Sequence, residues 1–369
     1  MRYLKSVLCI VLICSLVYLP VMASYPQVSA GAAVAIDCGT GRVFYEKNAY
    51  TRMGMASTTK IMTAILALEM GNPEDIVVVD ERAAGIEGSS LYLRAGDKLT
   101  LKNLVSGMML RSGNDGAAAI ALHFCDSIPA FAELMTQKAK DLGLNDTCFK
   151  NPHGLYEEGH YTTAYDLAQI TRYGFTLQGF AEIVGLRKYE IDDNIETKEV
   201  YNNNKLLTMY DGADGVKTGY TPETGRTLVG SASREGMRVI TVTLDDRDDW
   251  NDHIAMFNYC FDTFKSIKLS GKGQGFGCVP VKNGVDCEVA ALATTDVLAV
   301  INPDTKITVE VITEEDLKAP VKMGDIIGNV VFKEGEKIVG KTELIAGCDV
   351  EKERKPKFLW KFFNWIMGK

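Results

Sequence analysis

Three short stretches of the chain hold side chains that can do chemistry together. Ser57 and Lys60 stand three residues apart, Ser112 and Asn114 two apart, and Lys217 opens the run Lys217-Thr218-Gly219. A serine hydroxyl becomes a useful nucleophile when a neighbouring base takes its proton. A lysine amine is such a base only if its pKa falls well below about 10.4. Residues 61–70 are good helix formers, apolar nearly all round, and Gly71-Asn72-Pro73 ends them. That pattern predicts a helix buried in the middle of a domain. Ser57 then sits at or just inside the helix start, where backbone N–H groups lack partners, with Lys60 one turn on along the same face. Taken alone, the stretch reads more simply as a helix cap and a solvated lysine, since about one Ser-x-x-Lys is expected by chance in a chain of ordinary composition.

The elements around these stretches follow in order. Residues 32–36 and 42–46 read as a hairpin turned by Cys38-Gly39-Thr40-Gly41. Residues 76–100 alternate short apolar runs with turns. A helix is expected over 101–110 behind Thr100 as its cap, and a second over 117–122. Ser112-Gly113-Asn114 lies on the tight loop between them, where a glycine turn with a polar cap is the simpler reading. Further helices are expected over 131–142, closed by Gly143, and over 163–173. Residues 215–220, 226–232 and 237–244 form an antiparallel meander with Lys217 on its first strand, and a helix follows over 250–264. Strands at both ends with helices between suggest one sheet assembled from both ends of the domain, with helices packed on it. The glycine-rich run 271–277 marks a boundary, and the strand-like segments beyond it predict a small all-β unit.

Composition narrows the class. The 369 residues favour two folded units, and 46% hydrophobic with 24% charged residues is an ordinary globular mixture. A net charge of −8 with no basic tract argues against nucleic-acid binding. Arg2 and Lys5, an apolar core over 7–17 and Val21-Met22-Ala23 read as a cleaved export signal over residues 1–23, with an uncleaved anchor as the alternative. Cys9 and Cys14 leave with it, and the seven cysteines that remain are scattered, which is no disulfide framework. Cys278 and Cys287 are close enough to bridge a hairpin. His123, His153, His160 and His253 lack zinc-ligand spacing, so a structural or solvated role is expected for each and no metal or other cofactor. Residues 355–369 mix lysines with bulky aromatics, including two of the three tryptophans. Such a segment suits the interface of an anionic membrane, and is too short and interrupted to span one. A terminal helix packed on the β unit is the other reading.

In combination and in this order, the three stretches resemble the penicillin-recognising serine enzymes, whose signature is Ser-x-x-Lys, Ser-x-Asn and Lys-Thr-Gly. Ser-Gly-Asn, together with Asn151-Pro152-His153-Gly154-Leu155 and Gly215-Val216-Lys217-Thr218-Gly219-Tyr220, is similar to the low-molecular-weight D-alanyl-D-alanine carboxypeptidases. The resemblance covers essentially the whole chain after the signal. It implies an α+β fold: a β-lactamase/transpeptidase-like domain over 24–270, with an antiparallel sheet and helices on both faces. A small all-β domain over 271–350 and a C-terminal amphipathic helix in a tail over 351–369 would follow. It implies a serine carboxypeptidase that removes the terminal D-alanine of peptidoglycan stem peptides ending in D-Ala-D-Ala and that β-lactams acylate. The enzyme would be exported and held on the outer face of the cytoplasmic membrane by the tail. Ser57 would be the nucleophile, Lys60 the base, Ser112 a proton relay and Asn114 the group orienting Lys60 and the peptide amide. Lys217 and Thr218 would meet the terminal carboxylate. The backbone N–H groups of Ser57 and Tyr220 would form an oxyanion hole, with Gly219 in the same substrate-binding strand.

Some members place an arginine after the third strand of the meander to bind that carboxylate. Arg247 is nearby here, among Asp245, Asp246, Asp248, Asp249 and Asp252, so salt bridges compete for it. Two rivals remain at this stage. A β-lactamase of the same fold needs a carboxylate for its deacylating water, commonly in Glu-x-x-x-Asn, and Glu157 and Glu158 lack that setting. A non-catalytic wall-binding protein would keep the fold without needing intact motifs.

Overall fold

The computed structural model describes residues 25–192, 197–314 and 316–353. The expected export signal at 1–23 lies outside these, as does the expected C-terminal helix, since residues 354–369 are not among them. The chain opens with strands β1 (Ala32–Asp37) and β2 (Val43–Lys47), then a 3-10 turn Ala56–Thr59 leading directly into α1 (Lys60–Met70). Next come β3 (Ile76–Val78), β4 (Lys98–Thr100), α2 (Leu101–Arg111), α3 (Asn114–Phe124), α4 (Ile128–Asp141), α5 (Ala164–Gly174) and α6 (Phe180–Gly185). A hairpin of β5 (Lys188–Asp192) and β6 (Thr197–Tyr201) precedes the short α7 (Leu206–Met209). The meander β7 (Ala213–Thr221), β8 (Gly225–Arg234) and β9 (Met237–Leu244) leads into α8 (Asp249–Thr263).

These elements form the expected α+β domain. One antiparallel sheet runs β2-β1-β9-β8-β7, so the first hairpin joins the late meander through β1 and β9. Side chains alternate across it, as the two-residue period of a strand requires. Val34, Ile36, Ile240 and Val242 face a core shared with α1, α2, α3 and α5. Ala33, Ala35, Leu228 and Val239 face Met256, Phe257 and Phe261 of α8. Helix α1 is buried from Lys60 through Ala67, as its all-round apolar sequence predicts. The caps read from sequence are present: Thr100 accepts from Asn103 N and Thr163 from Asp166 N. Helix α3 begins at Asn114 rather than 117, and α4 begins at Ile128 rather than 131, because Ser127 caps it with Pro129 in the first turn.

The remaining strands are β10 (Lys265–Ser270), β11 (Gly275–Pro280), β12 (Glu288–Ala293), β13 (Val297–Ile301), β14 (Ile307–Thr313), β15 (Ile326–Glu334) and β16 (Lys337–Ala346). A five-stranded sheet β11-β12-β16-β15-β14 and the pair β10-β13 enclose a core of Val289, Ile327, Val330 and Leu344. The expected boundary at 271 needs correction. Strand β10 precedes the glycine run and pairs with β13 beyond it, so the second unit begins where α8 ends, near Phe264. The start of the expected tail also belongs to this unit: Val285 N donates to Glu351 O, and Glu353 N to Asn283 O, both at 2.8 Å. Arg42 ties the units together, with Nη2 2.7 Å from Glu334 and Nη1 donating to Val300 O at 2.7 Å. The cysteines among the described residues are free thiols, Cys278 and Cys287 included.

Candidate active site

The turn before α1 is shaped to present Ser57. Ala56 holds a left-handed backbone, φ 44°, which costs a residue with a side chain on the order of 1 kcal/mol or more. The neighbours fix it there. Thr58 Oγ1 and Thr227 Oγ1, the latter from β8, both donate to Met55 O, and Thr59 Oγ1 donates to Ala56 O. Gly154, φ 87°, packs so close that a Cβ on it would lie 1.9 Å from Ala56 O. Gly219 approaches from the sheet, where a Cβ would lie 2.9 Å from Ser57 N and 2.4 Å from Thr227 Oγ1. The glycine of Lys-Thr-Gly therefore lets β7 close onto the Ser57 backbone.

Lys60 is sealed from water, while Ser57 remains half-buried. Its Nζ has three neighbours: Asn114 Oδ1 at 2.7 Å, His153 O at 2.5 Å and Ser57 Oγ at 2.9 Å. Asn114 Nδ2 donates to Glu87 O at 2.6 Å, which settles the amide orientation and turns Oδ1 to the lysine. Two of the three neighbours can thus only accept, and the third is a hydroxyl that can do either. A neutral amine donates its two N–H bonds to Asn114 and His153 and aims its lone pair at the Ser57 hydroxyl. Burial pushes the Lys60 pKa well down, and the nearby charge of Lys217 lowers it further against an opposing pull from Asp115. Burial alone brings Lys217 to about 7. Its Nζ donates to Thr218 O at 3.0 Å, and no carboxylate among the described residues pairs with it.

Of the residues expected from sequence, Ser57 and Asn114 meet at Lys60 Nζ, Gly219 packs on Ser57 N and Lys217 lies close enough to lower the Lys60 pKa, while Thr218 and Tyr220 lie beside them on β7. Ser112 caps α2 in a left-handed conformation, φ 65°, buried, with no hydrogen-bond partner for its hydroxyl among the described residues. Thr218 is half-buried and Tyr220 exposed. Arg247 is exposed and unpaired among the described residues, so the expected competition from its aspartates does not occur. Asp249 lies 3.3 Å from Arg226 instead, and Asp246 and Asp252 accept hydrogen bonds from Ser29. Glu157 takes a hydrogen bond from Asn151 Nδ2 at 3.2 Å, and no carboxylate contacts Ser57 or Lys60 among the described residues.

Sequence reasoning missed how the loop 151–155 works. Asn151 Oδ1 accepts from Gly154 N at 2.7 Å and its amide reaches Leu155 O, which turns the His153 carbonyl onto Lys60. Asp115 is buried, and Glu87 acts through its backbone. The only sequence signal for these was the clustering of Asn, Pro and Gly at 151–154. The histidines are structural where buried: His253 lies between Thr241 and Thr243, and burial holds it neutral, with a pKa of about 3. Burial takes His153 to about 3 and His160 to about 4. A cavity of about 440 Å³ beside Gly71 and Leu101, at the far end of α1, holds none of the motif residues.

Comparisons with known proteins identify the family. The sequence profile of the D-alanyl-D-alanine carboxypeptidases matches residues 20–248, and that of the C-terminal domain of penicillin-binding protein 5 matches 264–352. The chain is 33% identical over 336 residues to the D-alanyl-D-alanine carboxypeptidase DacF of Bacillus subtilis, covering 88% of this chain and 86% of that one. Penicillin-binding protein 5 of Haemophilus influenzae superposes with a TM-score of 0.76 at 27% identity, over 89% of this chain and 99% of its own. The DD-transpeptidase of Streptomyces K15 superposes at 0.61 with 31% identity, over 64% of this chain and 99% of its own. The chain belongs to the D-alanyl-D-alanine carboxypeptidase family.

Proposed function

We propose that this member of the family is a serine-type carboxypeptidase. It removes the terminal D-alanine from peptidoglycan pentapeptides through an acyl-enzyme, and penicillin acylates the same serine. The observation that carries the reading is the valence of Lys60: two fixed acceptors take its N–H bonds and leave its lone pair on Ser57 Oγ. Lys60 takes the Ser57 proton as Oγ attacks the carbonyl of the D-Ala-D-Ala bond. The backbone N–H groups of Ser57 and Tyr220 stabilise the developing oxyanion, a contribution of roughly 10²–10³ in rate per donor. Ser112 passes a proton to the departing D-alanine, and its unengaged hydroxyl leaves it available for this. The terminal carboxylate supplies Lys217 with the counter-charge its burial lacks, and Thr218 adds a hydroxyl. Asn114 holds the substrate amide while orienting Lys60. Water then hydrolyses the acyl-enzyme.

Residues 1–23 serve as an export signal, and the aromatic and basic residues 355–369 hold the enzyme to the outer face of the cytoplasmic membrane. The composition of both segments supports this. Among the described residues no single helix is long and apolar enough to cross a membrane.

The test uses purified protein lacking 1–23. It is expected to release D-alanine from a muramyl pentapeptide mimic and to form a covalent penicillin adduct that maps to Ser57. Both are lost in Ser57→Ala. Failure of both in the unaltered protein overturns the reading, and fast repeated turnover of penicillin would favour a β-lactamase. Deleting 355–369 is expected to free the protein from membranes with activity on a soluble peptide retained, and continued membrane attachment refutes the anchor.

A further inference from the structure

Tyr92 is 80% exposed and holds a left-handed backbone, φ 61°. For a bulky aromatic this conformation is rare and costs on the order of 1–3 kcal/mol, so it persists only where the surroundings fix it. Asp115 does this. Its buried carboxylate accepts from Leu91 N at 2.9 Å, Leu93 N at 3.1 Å and Ser90 Oγ at 2.6 Å, and Ser90 Oγ accepts from Tyr92 N at 2.8 Å. Asp115 directly follows Asn114, so the start of α3 both aims the amide at Lys60 and clamps this turn. The turn lies on the Ser112–Asn114 loop. Asn114 N donates to Ser89 O at 2.7 Å, and a Cβ on Gly113 would lie 2.7 Å from Leu91 Cγ.

A cavity of about 190 Å³ opens beside the turn, between it, the end of α2 and the β5–β6 hairpin. Leu91, Leu93, Ile191 and Val200 give it apolar walls, Tyr92 flanks it, and Arg111 and Lys198 add cations. Arg111 precedes Ser112, is exposed, and has no ion-pair partner among the described residues. Its backbone is held in place, since Asn203 N donates to Leu110 O at 3.1 Å. The acid on the rim, Glu199, is already engaged by Lys188 at 2.6 Å and by the Tyr201 hydroxyl. In a chain of net charge −8, a free cation one residue from the site selects for an anionic ligand.

We propose that this cavity is a subsite for the acyl side of an acidic stem peptide, with Arg111 pairing a peptide carboxylate and Tyr92 covering the peptide backbone. The inference rests on the carboxypeptidase reading. There, Lys217 and Thr218 on β7 take the leaving end of the substrate, and Asn114 on α3 takes the amide on the other side of the scissile bond. The peptide leading away from Ser57 therefore passes the Ser112–Asn114 loop and meets the 90–93 turn. This subsite holds the part of the substrate that stays on Ser57 after D-alanine leaves, so it raises kcat/KM for long acidic peptides and leaves short neutral ones unaffected.

The test compares D-alanine release from two substrates: L-Ala-γ-D-Glu-L-Lys-D-Ala-D-Ala, whose second residue keeps a free carboxylate, and neutral diacetyl-L-Lys-D-Ala-D-Ala. Arg111→Ala is expected to lower kcat/KM on the acidic pentapeptide about tenfold, the scale of one charge-assisted hydrogen bond. The neutral tripeptide and the rate of penicillin acylation stay unchanged. Arg111→Lys recovers part of the loss, and amidating the substrate carboxylate reproduces it in the unaltered enzyme. Tyr92→Gly, which suits the left-handed backbone, is expected to lower the pentapeptide rate selectively. Equal losses on both substrates, or none on either, overturn the subsite while the carboxypeptidase reading stands. Release of D-alanine from neither substrate by the unaltered enzyme overturns that reading and the subsite with it.

Discussion

The side chains sealed from water in the catalytic domain include Lys60, Lys217, Asn114, Asp115, His153 and His253. In the C-terminal unit they include Val289, Ala291, Ile327, Val330, Leu344 and Ala346, and the buried polar side chains among its described residues are Ser270 and Thr342. Both units are antiparallel sheets with well-filled cores, so the contrast lies in what each core contains. A buried lysine without a counter-ion opposes folding, because the interior solvates its charge poorly. That same penalty favours the neutral amine of Lys60, which the proposed mechanism uses as a base, and leaves Lys217 in want of an anion. The catalytic domain carries groups that cost stability and supply reactivity, and the β unit carries apolar area that only stabilises.

Four measurements bear on that contrast. Lys60→Met should lower both D-alanine release and penicillin acylation on the order of 10³-fold, as loss of a general base does, with far-UV circular dichroism unchanged. A residual rate within tenfold of the parent would assign the base elsewhere. Leu344→Ala, in the apolar core, should cost roughly 2–5 kcal/mol in denaturant unfolding of the unit that holds it. Its kcat/KM should match the parent wherever the protein is folded. Lys217→Met should do the reverse, weakening substrates with a terminal carboxylate roughly 10–100-fold and raising stability on the order of 1–3 kcal/mol. Loss of stability in this variant would mean that the amine is satisfied inside the protein.

The smallest effect is on pH. Both lysines have folded-state pKa values depressed below the unfolded ones. For Lys217, the folded protein binds fewer protons than the unfolded chain between its value of about 7 and the ordinary 10.5. Stability therefore rises with pH across that window, and the full cost of burying the charge is present below it. Activity has the opposite limb. In the free enzyme Lys217 loses its proton above about 7, so kcat/KM for a carboxylate-ended substrate should fall there. A penicillin ester lacking the carboxylate should not show that limb, and identical profiles for both would separate Lys217 from carboxylate recognition.

Local pattern made much of this legible. The helix over 61–70, the Thr100 and Thr163 caps and the meander around Lys217 follow from periodicity and capping, which act over a few residues. The eight expected site residues were named because three short motifs stand in a fixed order. What escaped was carried by backbone or by neighbours in space. The His153 and Glu87 carbonyls act without their side chains, so no residue type announces them. Asp115 reads as one more acid beside a glycine until Leu91 and Leu93 are seen to donate to it. The boundary moved from 271 to about 264 because a glycine run marks a turn whether or not a domain ends there, and only the pairing of β10 with β13 assigns that strand.

By itself the sequence determined that Ser57 and Lys60 share a helix face, since three residues of helical turn suffice to place them together. It indicated the central sheet, the helices α1 to α5 and α8 and a strand-rich C-terminal unit, but gave no reading of α6, α7 or the β5–β6 hairpin. Whether Lys60 was a solvated surface amine or a buried one was decided by tertiary structure alone. Its second and third partners come from 54 and 93 residues further along the chain, and desolvation is a property of everything packed around a group rather than of its neighbours in sequence.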